Sequence, residues 1–157
     1  MTKHKSLNVF VALMCVVLGV IVGQIVSQTV FFTSSVIGDS MNPTYKEGDR
    51  VGVFMLKSPQ RGDVIVVDEG DKYVIKRCVG MPGDTLKIEK GKLYINGFVY
   101  EESYTLEPGL EYDPGIAASP LSLGEGEYFM LGDNREVSRD SRQVGIISEE
   151  QIVGVVM

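Results

Sequence analysis

The sequence predicts a mainly β, antiparallel domain tethered by one N-terminal transmembrane helix, on three observations. Ser6 to Gly38 is a run of 33 residues without a formal charge. Beyond it come short runs rich in β-branched and aromatic residues, cut by Gly, Pro and Asp. No long segment there repeats with the 3.6-residue period of a helix. A chain of 157 residues then suits an anchor and one domain of ordinary size.

Residues 1–6 carry Lys3, His4 and Lys5 and read as a short cytoplasmic tip. Residues 7–26 hold 16 aliphatic, aromatic or sulfur-bearing side chains in 20, broken only by Asn8, Gly19, Gly23 and Gln24. At about 1.5 Å per residue they would span roughly 30 Å, the thickness of a hydrocarbon core. Every acidic residue follows this run, so the positive-inside rule puts the N-terminus in the cytoplasm and residues 36–157 on the outer face of the cell membrane. A cleavable secretory signal has a similar charged start, but its apolar core is shorter and no A-x-A site precedes the domain. Residues 27–35 read as a linker, with Phe31 and Phe32 suited to lipid headgroups. Expected strands are Arg50–Leu56, Asp63–Val67, Tyr73–Val79, Thr85–Glu89, Lys92–Ile95, Phe98–Glu101, Glu127–Leu131 and Gln151–Val156. Gly91 and Asn96-Gly97 mark two successive hairpins. Residues 103–126, rich in Pro, Gly, Glu and Ser, read as a surface excursion.

Composition narrows the chemistry. His4 is the sole imidazole and lies in the cytoplasmic tip, which excludes a Ser-His-Asp triad, a Cys-His pair or a multi-His metal centre in the outer domain. Neither metal nor cofactor is expected. Removing Lys3 and Lys5 from the 15 basic residues leaves 13 against 21 acidic ones outside, an acidic balance unsuited to nucleic acid. Cys15, inside the span, cannot reach Cys78, so no intrachain disulfide is expected.

Another base must therefore serve any nucleophile. Gly38-Asp39-Ser40-Met41-Asn42-Pro43-Thr44 sets a serine in a Gly- and Pro-bounded turn next to the uncharged run. By itself, Asp39-Ser40 is equally an ordinary turn pair. In Tyr73–Val79, strand alternation places Lys76 with Val74 and Cys78, and Arg77 on the opposite face. Apolar neighbours can lower a lysine pKa far enough to leave a neutral amine that accepts a serine proton. A lysine snorkelling at a strand edge would look the same in sequence. Gly132 to Arg142, GDNREVSRDSR, is a polar loop flanked by Tyr128–Leu131 and Val144–Ile147, which should pin it to the core.

An anchor followed by GDSMNPT, by RGDVIVV at 61–67, by KRCVGMPGD at 76–84 and by GDNREVSRDSR at 132–142 resembles the type I signal peptidases, membrane-bound Ser-Lys proteases, in their short Gram-positive form. The resemblance implies Ser40 as nucleophile and Lys76 as general base, with Ser138 orienting the amine. It implies two structural ion pairs, Asp140 with Arg142 and Asp133 with Arg77. The Ser40 backbone N–H would serve the oxyanion, and Gly38 stands where some members add a hydroxyl. Val36, Gly38, Met41, Val74 and Ile75 would line the substrate site. The implied substrates are exported preproteins, cut after small residues at A-x-A-like sites. Residues 85–127 would be a reduced accessory β region. Cys78 and Val144 depart from the aliphatic and aromatic residues usual in the family. A Ser-Lys self-cleaving regulatory protease shares the Ser-Met turn and strand lysine but would need a soluble DNA-binding part. A non-catalytic tethered β-domain that binds exported proteins would have no use for Ser40 and Lys76 together.

Overall fold

The computed structural model describes residues 13–24 and 30–157. Residues 13–24 are helical, and their apolar side chains, Leu13 to Val22, are exposed. Of the expected 7–26 span, residues 7–12 and 25–26 lie outside the described residues, as does the tip. Among the described residues no helix is long and apolar enough to cross a membrane. Thr33–Met157 is a compact unit separate from the residues before it.

That unit is built on antiparallel β-sheet. The main sheet has seven strands: β1 (Phe31–Ser35), β2 (Arg50–Phe54), β3 (Val64–Asp68), β4 (Tyr73–Gly80), β9 (Glu127–Leu131), β10 (Ile147–Ser148) and β11 (Ile152–Val156). Their order is β1-β2-β11-β3-β4-β9-β10. A smaller sheet, ordered β7-β6-β5-β8, contains β5 (Thr85–Glu89), β6 (Lys92–Ile95), β7 (Phe98–Val99) and β8 (Leu121–Ser122). It falls within the reduced β region expected at 85–127. Phe31–Ser35, read as linker, is strand β1, and β8 and β10 are strands the sequence did not announce.

Alternation along β4 and β9 divides the interior. Cys78 and Met130 belong to one buried cluster with Ile65, Val67, Tyr128, Ile147 and Val155. Val79, Phe129 and Leu131 point the other way, into a cluster with Leu86, Ile88, Leu93 and Ile95 of the small sheet. The Asn96-Gly97 hairpin forms as expected, with φ of 53° and 85°, between β6 and β7. Residues 103–126 are not a loose excursion. Ala117 and Leu123 are buried in the second cluster, and Tyr112 packs against it.

Gly80 ends β4 where the small sheet closes on it. A Cβ there would lie 2.6 Å from Leu86 Cδ1, 2.7 Å from Phe129 Cβ and 2.9 Å from Leu123 Cδ1. Overpacking of this kind costs about 1–3 kcal/mol. Gly80→Ala should lower the denaturant midpoint accordingly, and an unchanged midpoint would show that the two sheets are not tightly joined here.

Candidate active site

Ser40 follows β1 in a turn closed by Asn42 N–H to the Asp39 carbonyl (3.1 Å) and Tyr45 N–H to the Met41 carbonyl (2.8 Å). Gly38 enters the turn at φ +79°, a backbone conformation that disfavours other residues. Lys76 lies on β4 opposite Ile65. Its Nζ donates to Ser40 Oγ at 2.9 Å and to the Ile75 carbonyl at 2.9 Å. The Lys76 side of β4 packs into the Cys78 cluster, as strand alternation requires, and Lys76 is only 5% exposed. Burial lowers its pKa from 10.5, against the opposing pull of Asp140, Glu69 and Asp133, while Lys72 adds to the lowering. The amine is thereby moved toward the neutral form.

The Gly132–Arg142 loop packs against both residues. Asn134 N–H donates to the Ser40 carbonyl at 3.0 Å. A Cβ on Gly132 would overlap Ser138 Oγ, Ser138 Cβ and the Ser40 carbonyl oxygen, so this close approach requires glycine. The two expected ion pairs are present and buried. Arg142 Nε and Nη2 donate to the two Asp140 oxygens at 2.8 and 2.9 Å, and Asp140 Oδ2 also accepts Gly132 N–H at 3.0 Å. Asp140 further caps the helical turn Ser141–Val144. Arg77 Nε donates to Asp133 Oδ1 at 2.8 Å, while its Nη2 donates to Asp133 Oδ2 and, at 3.0 Å, to Thr44 Oγ1. Thr44 Oγ1 donates in turn to Asp133, tying the serine turn to the loop. Ser138 differs from expectation: its Oγ is buried without a hydrogen-bond partner, so it makes no hydrogen bond to the Lys76 amine.

Ser40 and Lys76 open into a cavity of about 320 Å³. Gly38 and Val74 line it as expected, together with Ile37, Asp39, Glu69, Lys72, Val137 and Arg139. Val36 and Met41, expected on its wall, are instead buried in the interior, and Ile75 is not on the wall either. Apolar residues at alternate turn positions are as readily core as cleft, and sequence could not separate the two. The cavity borders an open strand edge. β9 pairs with β4 only from Arg77 onward, so among the described residues Tyr73–Lys76 have β3 on one side and no strand on the other.

Several residues of the site were not singled out by sequence. Thr44 and Asn134 lie inside the GDSMNPT and GDN motifs, which is the signal that could have found them. Arg61, from RGDVIVV, pairs with Asp84, from KRCVGMPGD, at 2.7 and 3.0 Å, and Asp84 also accepts Met81 N–H and Asn96 Nδ2. That explains the company these two motifs keep, as a brace rather than as chemistry. Cys78 is fully buried, and burial pushes its thiol up to about 12, so it acts as a small hydrophobe. No group of three or more His, Cys, Asp or Glu among the described residues is placed to hold a metal ion.

The family model described as "Signal peptidase, peptidase S26" matches residues 7–157. The chain belongs to the signal peptidase I family. It is 33% identical over 170 residues to signal peptidase I of Bacillus licheniformis, covering 98% of this chain and 91% of that protein. It is 38% identical over 152 residues to signal peptidase IB of Staphylococcus aureus, covering 84% of this chain and 78% of that one. The crystal structure of a signal peptidase I from Enterococcus faecalis V583 superposes with a TM-score of 0.55 at 34% identity, over 64% of this chain and 98% of that one. The mainly β antiparallel architecture is therefore that of the family.

The lowering of the Lys76 pKa from 10.5 sets the direction of the pH dependence expected if this amine takes the serine proton. Cleavage should rise as Lys76 loses its proton, with the limb below 10.5. Persistence of that limb in Lys76→Arg would assign it to another group. Stability moves in a linked way. The folded state holds the Lys76 proton less tightly than the unfolded state, so the charged amine costs stability at neutral pH, and the cost vanishes as pH approaches 10.5. Lys76→Met should raise the neutral unfolding midpoint, with a gain that shrinks on the alkaline side. A gain independent of pH would point to packing alone.

Proposed function

We propose that this signal peptidase I family member is a membrane-tethered serine endopeptidase that removes signal peptides from exported preproteins. The observation that carries the mechanism is the buried Lys76 amine, 2.9 Å from Ser40 Oγ, at the wall of an open cleft. Neutral Lys76 takes the Ser40 proton as Oγ attacks the scissile carbonyl. The Ser40 backbone N–H, at the turn, receives the developing oxyanion. Lys76 then returns its proton to the leaving amine, giving an acyl-enzyme, and a water deprotonated by the same amine hydrolyses it. The family resemblance gives Ser138 the orienting of the amine, and its buried hydroxyl, which has no other partner, supports that reading.

The open edge at Tyr73–Lys76 suits an extended peptide added as a further strand, whose backbone would be held while alternate side chains meet the wall. Val74 and Gly38 leave room for small side chains there, which supports cutting after A-x-A-like sites. The tether is the 7–26 span, supported by its length, its lack of charge and the basic residues before it, with the catalytic domain outside. Confinement of enzyme and preprotein to one bilayer face raises their effective concentration.

Cleavage of a preprotein in detergent, with the cut located by mass spectrometry, tests this reading. Ser40→Ala and Lys76→Ala should each lose at least about a thousandfold in rate. His4→Ala should cleave normally. Undiminished cleavage by Ser40→Ala would sink the mechanism.

A further inference from the structure

Between β7 and β8 the chain carries no strand, yet three of its side chains meet the three buried arginines of the catalytic motifs. Arg135 is 4% exposed at its side chain, and its guanidinium donates to both oxygens of Glu102, itself 9% exposed. Arg135 Nη1 also donates to Tyr112 OH. Glu102 Oε1 accepts Tyr104 OH at 2.8 Å, and the Tyr104 ring lies under Arg77, 4.0 Å from its guanidinium carbon. The Tyr112 ring stands 5.1 Å from Arg135 and 5.0 Å from Arg142.

From Arg135 the contacts run to the reacting serine. Its Nε donates to the Gly132 carbonyl at 2.8 Å, and its own carbonyl accepts Arg142 Nη2 at 2.8 Å. These bonds close the 132–138 turn, whose Asn134 N–H holds the Ser40 carbonyl at 3.0 Å. We propose that Glu102 and Tyr112 are positioning residues for the nucleophile, fixing Arg135 and through it the turn that holds the Ser40 backbone. A buried guanidinium without its carboxylate must find another partner or turn to solvent. Either movement draws Nε away from the Gly132 carbonyl. Because Ser40 must meet the substrate carbonyl within a narrow range of geometry, small displacements act on the chemical step. The inference rests on the reading of Ser40 as nucleophile.

Steady-state cleavage of a preprotein by the full chain in detergent, with amide exchange at Asn134, tests it. Glu102→Ala should lower kcat about tenfold with KM within about twofold, and Asn134 should exchange faster. Glu102→Gln, whose amide oxygen still accepts from Arg135, should recover part of both. Tyr112→Phe removes only the hydroxyl and keeps the ring over both arginines. It carries the test if Glu102→Ala does not fold, with an expected loss in kcat of about threefold. Wild-type kcat and Asn134 exchange in Glu102→Ala or Tyr112→Phe, or a loss confined to KM, would overturn the proposal. Retained cleavage by Ser40→Ala beside faster Asn134 exchange in Glu102→Ala would reject the nucleophile reading and leave the loop contact standing.

Discussion

Everything in the site turns on the burial of one amine, Lys76, which moves it toward the neutral form in a protein that is acidic overall. Burial lowers the Lys76 pKa, but Asp140, Glu69 and Asp133 lie near enough to raise it. An unpaired carboxylate so close would favour the ammonium and end its use as a base. The two aspartates are each committed to a guanidinium, Asp140 to Arg142 and Asp133 to Arg77, both through two oxygens. The field of each aspartate at the amine is thus offset by an adjacent fixed cation that cannot deprotonate. The ion pairs are therefore electrical as well as mechanical. They let the loop use charge for rigidity without charging the base.

The same pairs solve a positional problem. Ser40, Lys76 and the Gly132–Arg142 loop are distant in sequence, and no single element carries two of them. Thr44 bonds both Asp133 and Arg77, so the serine turn, β4 and the loop meet at one node. Asn134 N–H on the Ser40 carbonyl adds a second tie. Gly132 permits the approach by having no side chain where Ser138 and the Ser40 carbonyl already sit. Breaking one partner of a buried ion pair commonly costs about 3–5 kcal/mol, so these contacts fix the geometry firmly once formed.

How much of this was legible in sequence depended on whether a period or a motif reported it. Alternation from Tyr73 to Val79 separated the faces of Lys76 and Arg77 correctly, because strand geometry imposes a period of two on successive side chains. Asn96-Gly97 announced its hairpin through local backbone preference alone. The strands Leu121–Ser122 and Ile147–Ser148 are two residues long, too short to show any period. Val36 and Met41 failed as cleft residues because an apolar side chain in a turn carries no sign of which way it faces. The 103–126 stretch misled for a physical reason: its polar residues were assigned to solvent, whereas Tyr112 and its neighbours Glu102 and Tyr104 answer buried arginines 23 to 33 residues away in sequence. Composition cannot distinguish a carboxylate facing water from one facing a guanidinium.

The topology adds a constraint that no motif contains. β11 lies between β2 and β3, pairing Val155 with Phe54 on one side and with Ile65 on the other. Ile65 in turn stands opposite Lys76. The nucleophile turn is thus attached to one part of the main sheet and the base to another, and the strand that joins them is the last in order. Besides the sheet, the loop contacts relate Ser40 to Lys76, and that loop leaves β9, which pairs with β4. Desolvation and topology act together here: the fold that positions the Lys76 amine beside Ser40 is also what lowers its pKa.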